Sequence, residues 1–166
     1  MMMPLDTINL DGSVKNMTYV TQSLEKLKKA GTHGIMLDVW WGIAEKDEPG
    51  KYNFDGYYKI VEAAKSAGLT LQAVMSFHKC GGNVGDDVTI PLPQWALSVA
   101  KSNDLLYKDQ WNHQNEEYIS AGADNEKVFP AANGGLRTPL TIYKDFMSAF
   151  ASKMKKFIDD GTIDDI

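Results

Sequence analysis

The feature that most constrains the fold is a regular alternation of short apolar runs with stretches of helical periodicity. The runs at residues 34–41 and 69–77 are nearly continuous, which is typical of strands buried on both faces in a parallel sheet. Apolar side chains at spacings of three and four predict helices over residues 14–27, 57–67 and 143–158. With an apolar segment at residues 1–8 and another starting near residue 163, the order is β-α-β-α-β-α-β. That order predicts an α/β fold with parallel strands and right-handed crossovers.

Turn and capping residues mark the ends of these helices. Residues 11–13 (Asp-Gly-Ser) supply turn chemistry and a predicted N-cap for the first helix, and Gly31 is suited to its C-terminal end. Thr138, followed by a proline, predicts the start of the last helix. A short helix is predicted at residues 94–100, and the polar residues 101–137 are predicted to form a long loop. A loop of that length is uncommon in a compact domain unless it has a function.

Composition and charge restrict the classes of partner. The 166 residues are 43% apolar and 23% charged, which is typical of a globular domain, and the net charge is −5. No cluster of Lys and Arg forms a stripe that would neutralise phosphates, so we expect no nucleic-acid partner. No apolar run approaches the roughly 20 residues of a membrane span, and residues 1–5 lack the regions of a secretory signal. We expect no membrane partner, and the compartment stays unassigned, with the cytoplasm as the default.

No pattern in the sequence is typical of a metal or cofactor site. The single cysteine, Cys80, excludes an internal disulfide. Zinc-ligand spacing is absent among that cysteine and the histidines, which are His33, His78 and His113. The glycine-rich residues 82–85 lack the Lys-Ser/Thr of a phosphate-binding loop, and residues 9–13 lack G-x-G-x-x-G. We therefore expect neither a metal nor a cofactor.

The missing dinucleotide fingerprint favours a (β/α)8 barrel over an open doubly wound sheet. A barrel places its chemistry on the loops that follow its strands. Polar groups follow three successive predicted strands here, at Asp6, Asp38 and His78. An eight-stranded barrel typically takes about 250 residues. We therefore expect residues 1–166 to be the N-terminal part of a single barrel domain, with three βα units and the start of strand four.

Asp38, Trp40 and Trp41 offer what a sugar site needs, a carboxylate for hydroxyl groups and aromatic faces for the C–H faces of a ring. An acid inside a buried strand is costly unless it is paired or reaches a cleft, so we interpret Asp38 as functional. For the two tryptophans, sugar stacking and core packing are both open. His78 taken alone fits a structural histidine, but its position between a strand and a glycine-rich loop favours a role in binding.

The segment after His78 predicts a mobile loop, because glycines leave the backbone free. Its residues are Gly81, Gly82, Asn83, Val84 and Gly85. Asp86 ends the loop and fits either a binding role or a solvated loop acid.

Long motifs in the chain resemble the β-amylases, glycoside hydrolases that release maltose from the non-reducing ends of α-1,4-glucans. The most specific are D-V-W-W-G at residues 38–42 and S-F-H-K-C-G-G-N-V-G-D at residues 76–86. Further matching stretches are residues 3–6, 34–37, 72–75, 90–95, 115–118, 137–138 and 143–147. Two places depart from the family pattern, Gln114 where arginine is usual and an apparent short insertion at residues 130–136. These departures concern loop detail and not the family.

The resemblance implies a role for each matching residue. Asp38 and His78 match positions that hydrogen-bond the glucose unit on the non-reducing side of the cleaved bond. Asp86 matches the acid of a loop that closes over substrate, and Cys80 matches a thiol that is not catalytic. The expected partner is an α-1,4-glucan or maltose.

The resemblance also implies an inverting mechanism with one glutamate as general acid and another as general base. No glutamate here matches either position; those set aside are Glu45, Glu48, Glu116 and Glu117. We therefore expect this chain alone to be inactive, with both catalytic residues beyond Ile166. A non-catalytic glucan-sensing relative is the alternative, and a self-standing small α/β binding protein is a third possibility.

Overall fold

The computed structural model describes residues 1–82 and 84–166, which form two compact units. The first unit consists of Met1–Val39, Asn53–Ser76 and Phe150–Ile166, and the second of Trp40–Tyr52 and Phe77–Ala149. No helix within the described residues has the length and apolar character needed to cross a bilayer.

The first unit is built on a three-stranded sheet in the order β1, β2, β7. Its strands are β1 (Gly34–Trp40), β2 (Thr70–Ser76) and β7 (Ile163–Asp165). The pairing of β2 with β7 is parallel, with Leu71 opposite Ile163 and Gln72 opposite Asp165. These observations confirm the predicted α/β class with parallel pairing.

Two helices of the first unit lie where the apolar periodicity predicts them, α1 (Met17–Lys29) and α3 (Asp55–Ser66). The C-terminal half of α5 (Pro139–Asp159) also belongs to this unit and buries Phe150, Met154 and Phe157. Burial in the strands alternates, with Ile35, Leu37 and Val39 buried and the residues between them half-exposed. One face of β1 is therefore buried and the other is half-exposed in this structure, so the burial on both faces that the continuous apolar run predicts is not observed.

Two details of the first unit differ from the sequence expectation. The segment predicted as a first strand makes one parallel bridge, between Met2 and Met36, because Pro4 has no N–H and its carbonyl accepts the Thr7 N–H in a turn. Asn16 caps α1 by accepting the Tyr19 N–H at 2.9 Å. Residues 11–13 do not form the cap, because they are folded into their own side-chain turn, in which Asp11 accepts the backbone N–H of the serine.

The second unit contains α2 (Trp41–Ala44), α4 (Gln94–Ser102) and residues 139–149 of α5. The predicted start of α5 is confirmed, because the Thr138 hydroxyl accepts the Thr141 N–H at 3.1 Å. The predicted long loop at 101–137 is wrong, since it contains two antiparallel hairpins. Their strands are β3 (Leu106–Lys108), β4 (Gln114–Ile119), β5 (Phe129–Pro130) and β6 (Leu136–Arg137). The side chains of β4 are mostly polar and largely solvated, so its sequence shows no alternation of apolar and polar residues from which a strand could be predicted.

Candidate functional site

Asp38 lies near the carboxyl end of β1, on the face opposite the buried residues Leu37 and Val39. Its carboxylate oxygen Oδ1 accepts a hydrogen bond of 2.9 Å from the Ser76 hydroxyl. Ser76 is itself buried at the end of β2, so the neighbouring strand fixes the rotamer of Asp38. Asp38 as a whole is half-exposed, but the Oδ2 atom of its carboxylate is buried. The hydrogen bond from Ser76 orients this carboxylate, whose oxygens are suited to accept hydrogen bonds from a polar ligand.

His78 follows β2 by two residues and is exposed. Its ring stands edge-on to Trp40, with the ring centroids 5.4 Å apart. The indole of Trp40 is only 3% exposed, so contact with this histidine accounts for part of its packing. The imidazole therefore packs against the buried indole of Trp40 and remains accessible to solvent.

Trp41 begins α2 and is fully buried. Its ring packs edge-on against Trp95 and Tyr143, at centroid distances of 5.9 Å and 6.0 Å. Its indole N–H donates to the Glu45 carboxylate at 2.7 Å. Both the faces and the polar atom of this indole are therefore engaged by protein, which favours core packing over sugar stacking for Trp41.

The glycine-rich loop is closed at its base by Cys80 and Ile90, which exchange two backbone hydrogen bonds of 2.9 Å. Gly81, Gly82 and Gly85 have φ of 98°, 112° and 94°, a region that favours glycine.

The rest of the predicted loop differs in what the structure describes. Val84 is fully exposed, Asp86 is exposed, and Asn83 lies outside the described residues. The backbone therefore depends on glycine at three positions, and the mobility of the loop stays a prediction.

A buried ion pair that sequence reasoning missed joins Glu45 to Arg137. The Nη2 atom of Arg137 lies 2.7 Å from Oε1 of Glu45, and the two side chains are 6% and 0% exposed. The same carboxylate accepts the Gly50 N–H at 2.5 Å, and its backbone carbonyl accepts the Trp95 indole N–H at 2.9 Å. The sequence signal was the acid directly after an apolar run, but nothing local pointed to its partner.

Arg137 has further partners around the ion pair. Its Nε donates to the Pro130 carbonyl at 3.1 Å, and its Nη1 lies 3.3 Å from Asp145. Burial would lower the pKa of this guanidinium, but hydrogen bonding to Glu45 and the charge of that carboxylate outweigh it and raise the pKa. The guanidinium is therefore charged throughout the physiological range.

Two tyrosines of the second unit are held protonated. Burial, together with the negative charge of Glu45, raises the pKa of Tyr52 to about 12. Burial, together with the charge of Asp124, raises the pKa of Tyr143 to about 12. Both phenols are therefore neutral hydrogen-bonding groups at physiological pH.

Within the part of the chain that the structure describes, no three His, Cys, Asp or Glu side chains are grouped to hold a metal ion.

Comparison with known proteins gives a match over the whole chain. The sequence model described as glycosyl hydrolase family 14 matches residues 1–166. The chain is 52% identical over 165 residues to "Beta-amylase 1, chloroplastic" of Oryza sativa subsp. japonica, a match that covers 98% of the chain and 30% of the relative. It is 42% identical over 166 residues to "Beta-amylase" of Glycine max, with 99% and 32% covered.

A solved structure is similar as well. The catalytic domain of beta-amylase from Paenibacillus polymyxa aligns with a TM-score of 0.72 and 30% identity, and the alignment covers 94% of this chain and 33% of that one. The chain thus spans about a third of the length of the proteins it matches.

Proposed function

Because the chain belongs to glycosyl hydrolase family 14, we propose that it forms part of an enzyme that hydrolyses α-1,4-glucans and releases maltose from their non-reducing ends. The names of its relatives support this substrate class, since the chain is about half identical to a beta-amylase over 98% of its length. The substrate is a starch-type or glycogen-type polysaccharide.

The proposed architecture is a single (β/α)8 barrel, of which residues 1–166 are the N-terminal part. Parallel pairing of β2 with β7 and the helices between successive strands support it. In a barrel, the half-exposed face of β1 that carries Met36 and Asp38 points inward, and Asp38 then stands at the carboxyl end of its strand, where barrel enzymes place their chemistry.

Asp38, His78 and Asp86 are the proposed substrate-binding residues. The observation that carries the proposal is the position of Asp38 on the half-exposed face of β1, with its carboxylate oriented by Ser76. A carboxylate in that setting accepts hydrogen bonds from sugar hydroxyls, and the imidazole of His78 offers a donor and an acceptor. Asp86, at the end of the glycine-rich loop, contributes when that loop closes over substrate.

Hydrolysis in this family uses a general acid and a general base, and the proposal places neither in residues 1–166. Glu45 is the acid most shielded from solvent, but it is engaged by Arg137 and does not face a cleft. Glu116 is paired with Lys101 at 2.6 Å on the surface. Residues 1–166 therefore carry proposed binding residues, with at most weak affinity for glucan because part of the cleft is missing, and are expected not to cleave it.

A glucan-sensing relative without turnover is the second candidate, since the same binding residues serve both functions. The two differ at the acid and base positions of a longer chain. Glutamate at both positions is required for the enzyme, and replacement of either favours the sensor.

The test is a maltose titration followed by nuclear magnetic resonance, with wild type compared to Asp38→Asn. We expect the substitution to weaken binding roughly tenfold, because a hydrogen bond to a charged group contributes about 1.5–3 kcal/mol. Asp47→Asn, an exposed loop acid, is the matched control and leaves the affinity unchanged. Equal affinities for wild type and Asp38→Asn would contradict the assignment of Asp38.

In a parallel assay with soluble starch, maltose release by residues 1–166 would contradict the placement of the acid and base.

A further inference from the structure

The β3–β4 hairpin carries three exposed aromatic side chains to which the proposed function assigns no role. Tyr107, Trp111 and Tyr118 are 40%, 70% and 39% exposed. The rings of Tyr107 and Tyr118 contact each other, with their centroids 5.5 Å apart. We call these three residues the hairpin aromatic surface. An exposed apolar patch of this kind is often functional, so the three rings are a candidate binding surface.

The tip of the hairpin holds Trp111 in a defined position. Asp109 accepts the backbone N–H groups of Trp111 and His113 at 2.9 Å and 2.8 Å, and donates its own N–H to the His113 carbonyl at 3.0 Å. Asn112 lies between Trp111 and His113 and has a φ of 68°, a left-handed backbone conformation that residues other than glycine seldom adopt. Because the turn is fixed, little conformational entropy is lost when a ligand contacts the indole.

Side-chain pairs on and beside the hairpin engage part of its charge. Lys108 lies 2.5 Å from Asp104, and the ring of His113 lies 3.1 Å from Asp109. Lys101 lies 2.6 Å from Glu116 of β4. Residues 104–119 hold one lysine and four carboxylates, which are Asp104, Asp109, Glu116 and Glu117. The surface therefore has no excess positive charge to attract an anionic partner such as a nucleic acid or a phospholipid headgroup.

An open depression of about 390 Å³ lies beside one of the rings. Tyr107 lines it together with polar side chains, which are Asp104, Lys108, Ser120 and Glu126. An aromatic face next to hydroxyl, carboxylate and ammonium groups matches a ligand with apolar C–H faces and hydroxyl edges.

The size of the surface argues against a protein partner. An aromatic side chain buries roughly 150–250 Å², so the exposed parts of the three rings offer about 300 Å² in all. A specific protein interface buries about 800 Å² on each partner. A few sugar units fit the available area better.

We propose that the hairpin aromatic surface is an additional binding surface for an α-glucan chain, on which Tyr107, Trp111 and Tyr118 stack against glucose rings. This inference rests on the proposed function for the choice of glucan. Its effect is to retain polymer through residues other than Asp38, His78 and Asp86.

The test measures retardation of the chain in native gels that contain amylopectin, with wild type compared to Trp111→Ala and Tyr107→Ala. Each substitution is expected to weaken polymer affinity by roughly tenfold or less, the contribution of one aromatic stacking contact. Tyr19→Ala is the matched control, since Tyr19 is 64% exposed on α1 in the first unit. It leaves retardation unchanged. Trp111→Phe keeps an aromatic face and retains most of the affinity, which separates stacking from misfolding.

Maltose binding by Asp38→Asn, measured in parallel, separates this inference from the proposed function. Retardation that is equal in wild type and both alanine variants overturns the inference, and a loss of maltose binding in Asp38→Asn then leaves the proposed function standing. Loss of retardation in the alanine variants supports the inference whatever Asp38→Asn shows. A wild-type chain that binds neither maltose nor amylopectin overturns both proposals. Sedimentation gives a further outcome. If the wild-type chain forms a dimer and Trp111→Ala does not, the inference is overturned, because a second copy of the chain then occupies the hairpin aromatic surface.

Discussion

At the scale of single residues, the ion pair of Glu45 and Arg137 shows why a buried acid is not by itself a catalytic one. Removing a carboxylate from water is costly, and here the cost is offset by the guanidinium and by N–H groups of Trp41 and Gly50. All of these donors come from the protein itself. Asp38 differs, because it lies on the half-exposed face of β1 and its carboxylate is oriented by a neutral hydroxyl, that of Ser76. Accessibility separates the structural acid from the proposed binding acid.

Glu45→Gln is expected to lower the free energy of unfolding by about 3–5 kcal/mol, because it removes the buried counter-charge of the Arg137 guanidinium and leaves only the partly exposed carboxylate of Asp145. Urea unfolding of the two proteins measures the difference. Glu48→Gln is the matched control, since Glu48 is 67% exposed and lies 3.5 Å from the ammonium of Lys51. A surface pair of this kind contributes at most about 1 kcal/mol. Similar decreases in the free energy of unfolding for the two variants would show that the buried ion pair stabilises the protein no more than a surface pair does.

At the scale of elements, the glycine-rich loop depends on backbone conformations more than on side chains. Gly81 and Gly85 both have positive φ, so alanine is strained at either position. They differ in their surroundings. A Cβ on Gly81 would lie 2.5 Å from the Val88 carbonyl oxygen, whereas a Cβ on Gly85 would meet no atom of the described residues within 4 Å. The base of the loop is thus packed and its outer part is open.

This contrast predicts different costs for the same substitution. Gly85→Ala is expected to destabilise the protein by about 1–2 kcal/mol, the cost of a left-handed backbone for a residue with a side chain. Gly81→Ala adds a clash with backbone and is expected to cost about 1–3 kcal/mol more. Thermal or urea unfolding of both variants measures the difference. If Gly81→Ala proves no more costly than Gly85→Ala, the close approach to Val88 does not constrain the loop.

At the scale of the whole molecule, the two protonated tyrosines couple stability to pH. The pKa of each phenol is about 12 in the folded protein, against an ordinary value of 10.0. Between these values the unfolded chain has lost protons that the folded protein keeps. The free energy of unfolding therefore falls as pH rises from about 10 towards 12, and the contribution is fully present below pH 10.

Urea midpoints measured at several pH values in this window are expected to decline more steeply for wild type than for Tyr52→Phe. The phenylalanine variant cannot ionise, so it removes one of the two contributions. Tyr19→Phe, on the exposed surface of α1, serves as the control and keeps the wild-type slope. An unchanged slope in Tyr52→Phe would mean that Tyr52 ionises alike in the folded and unfolded states.

The sequence by itself determined the elements whose signals are local. The helices α1, α3 and α5 follow from apolar periodicity, and the strands β1 and β2 follow from nearly continuous apolar runs. Their alternation gives the α/β class, and the start of α5 follows from Thr138 at its N-cap. The family follows from motifs that lie within short stretches of chain. These features need no knowledge of distant partners, because period and capping act over a few residues.

Only the tertiary structure decided what depends on groups far apart in the chain. It reduced the first predicted strand to one parallel bridge and paired polar residues of 101–137 into hairpins. It joined Glu45 to Arg137 across 92 positions and Asp38 to Ser76 across 38. It also turned Trp41 into the core while leaving Trp111 in solvent. The physical reason is that burial and pairing are set by which segments meet in space, and a residue type alone does not specify its partner.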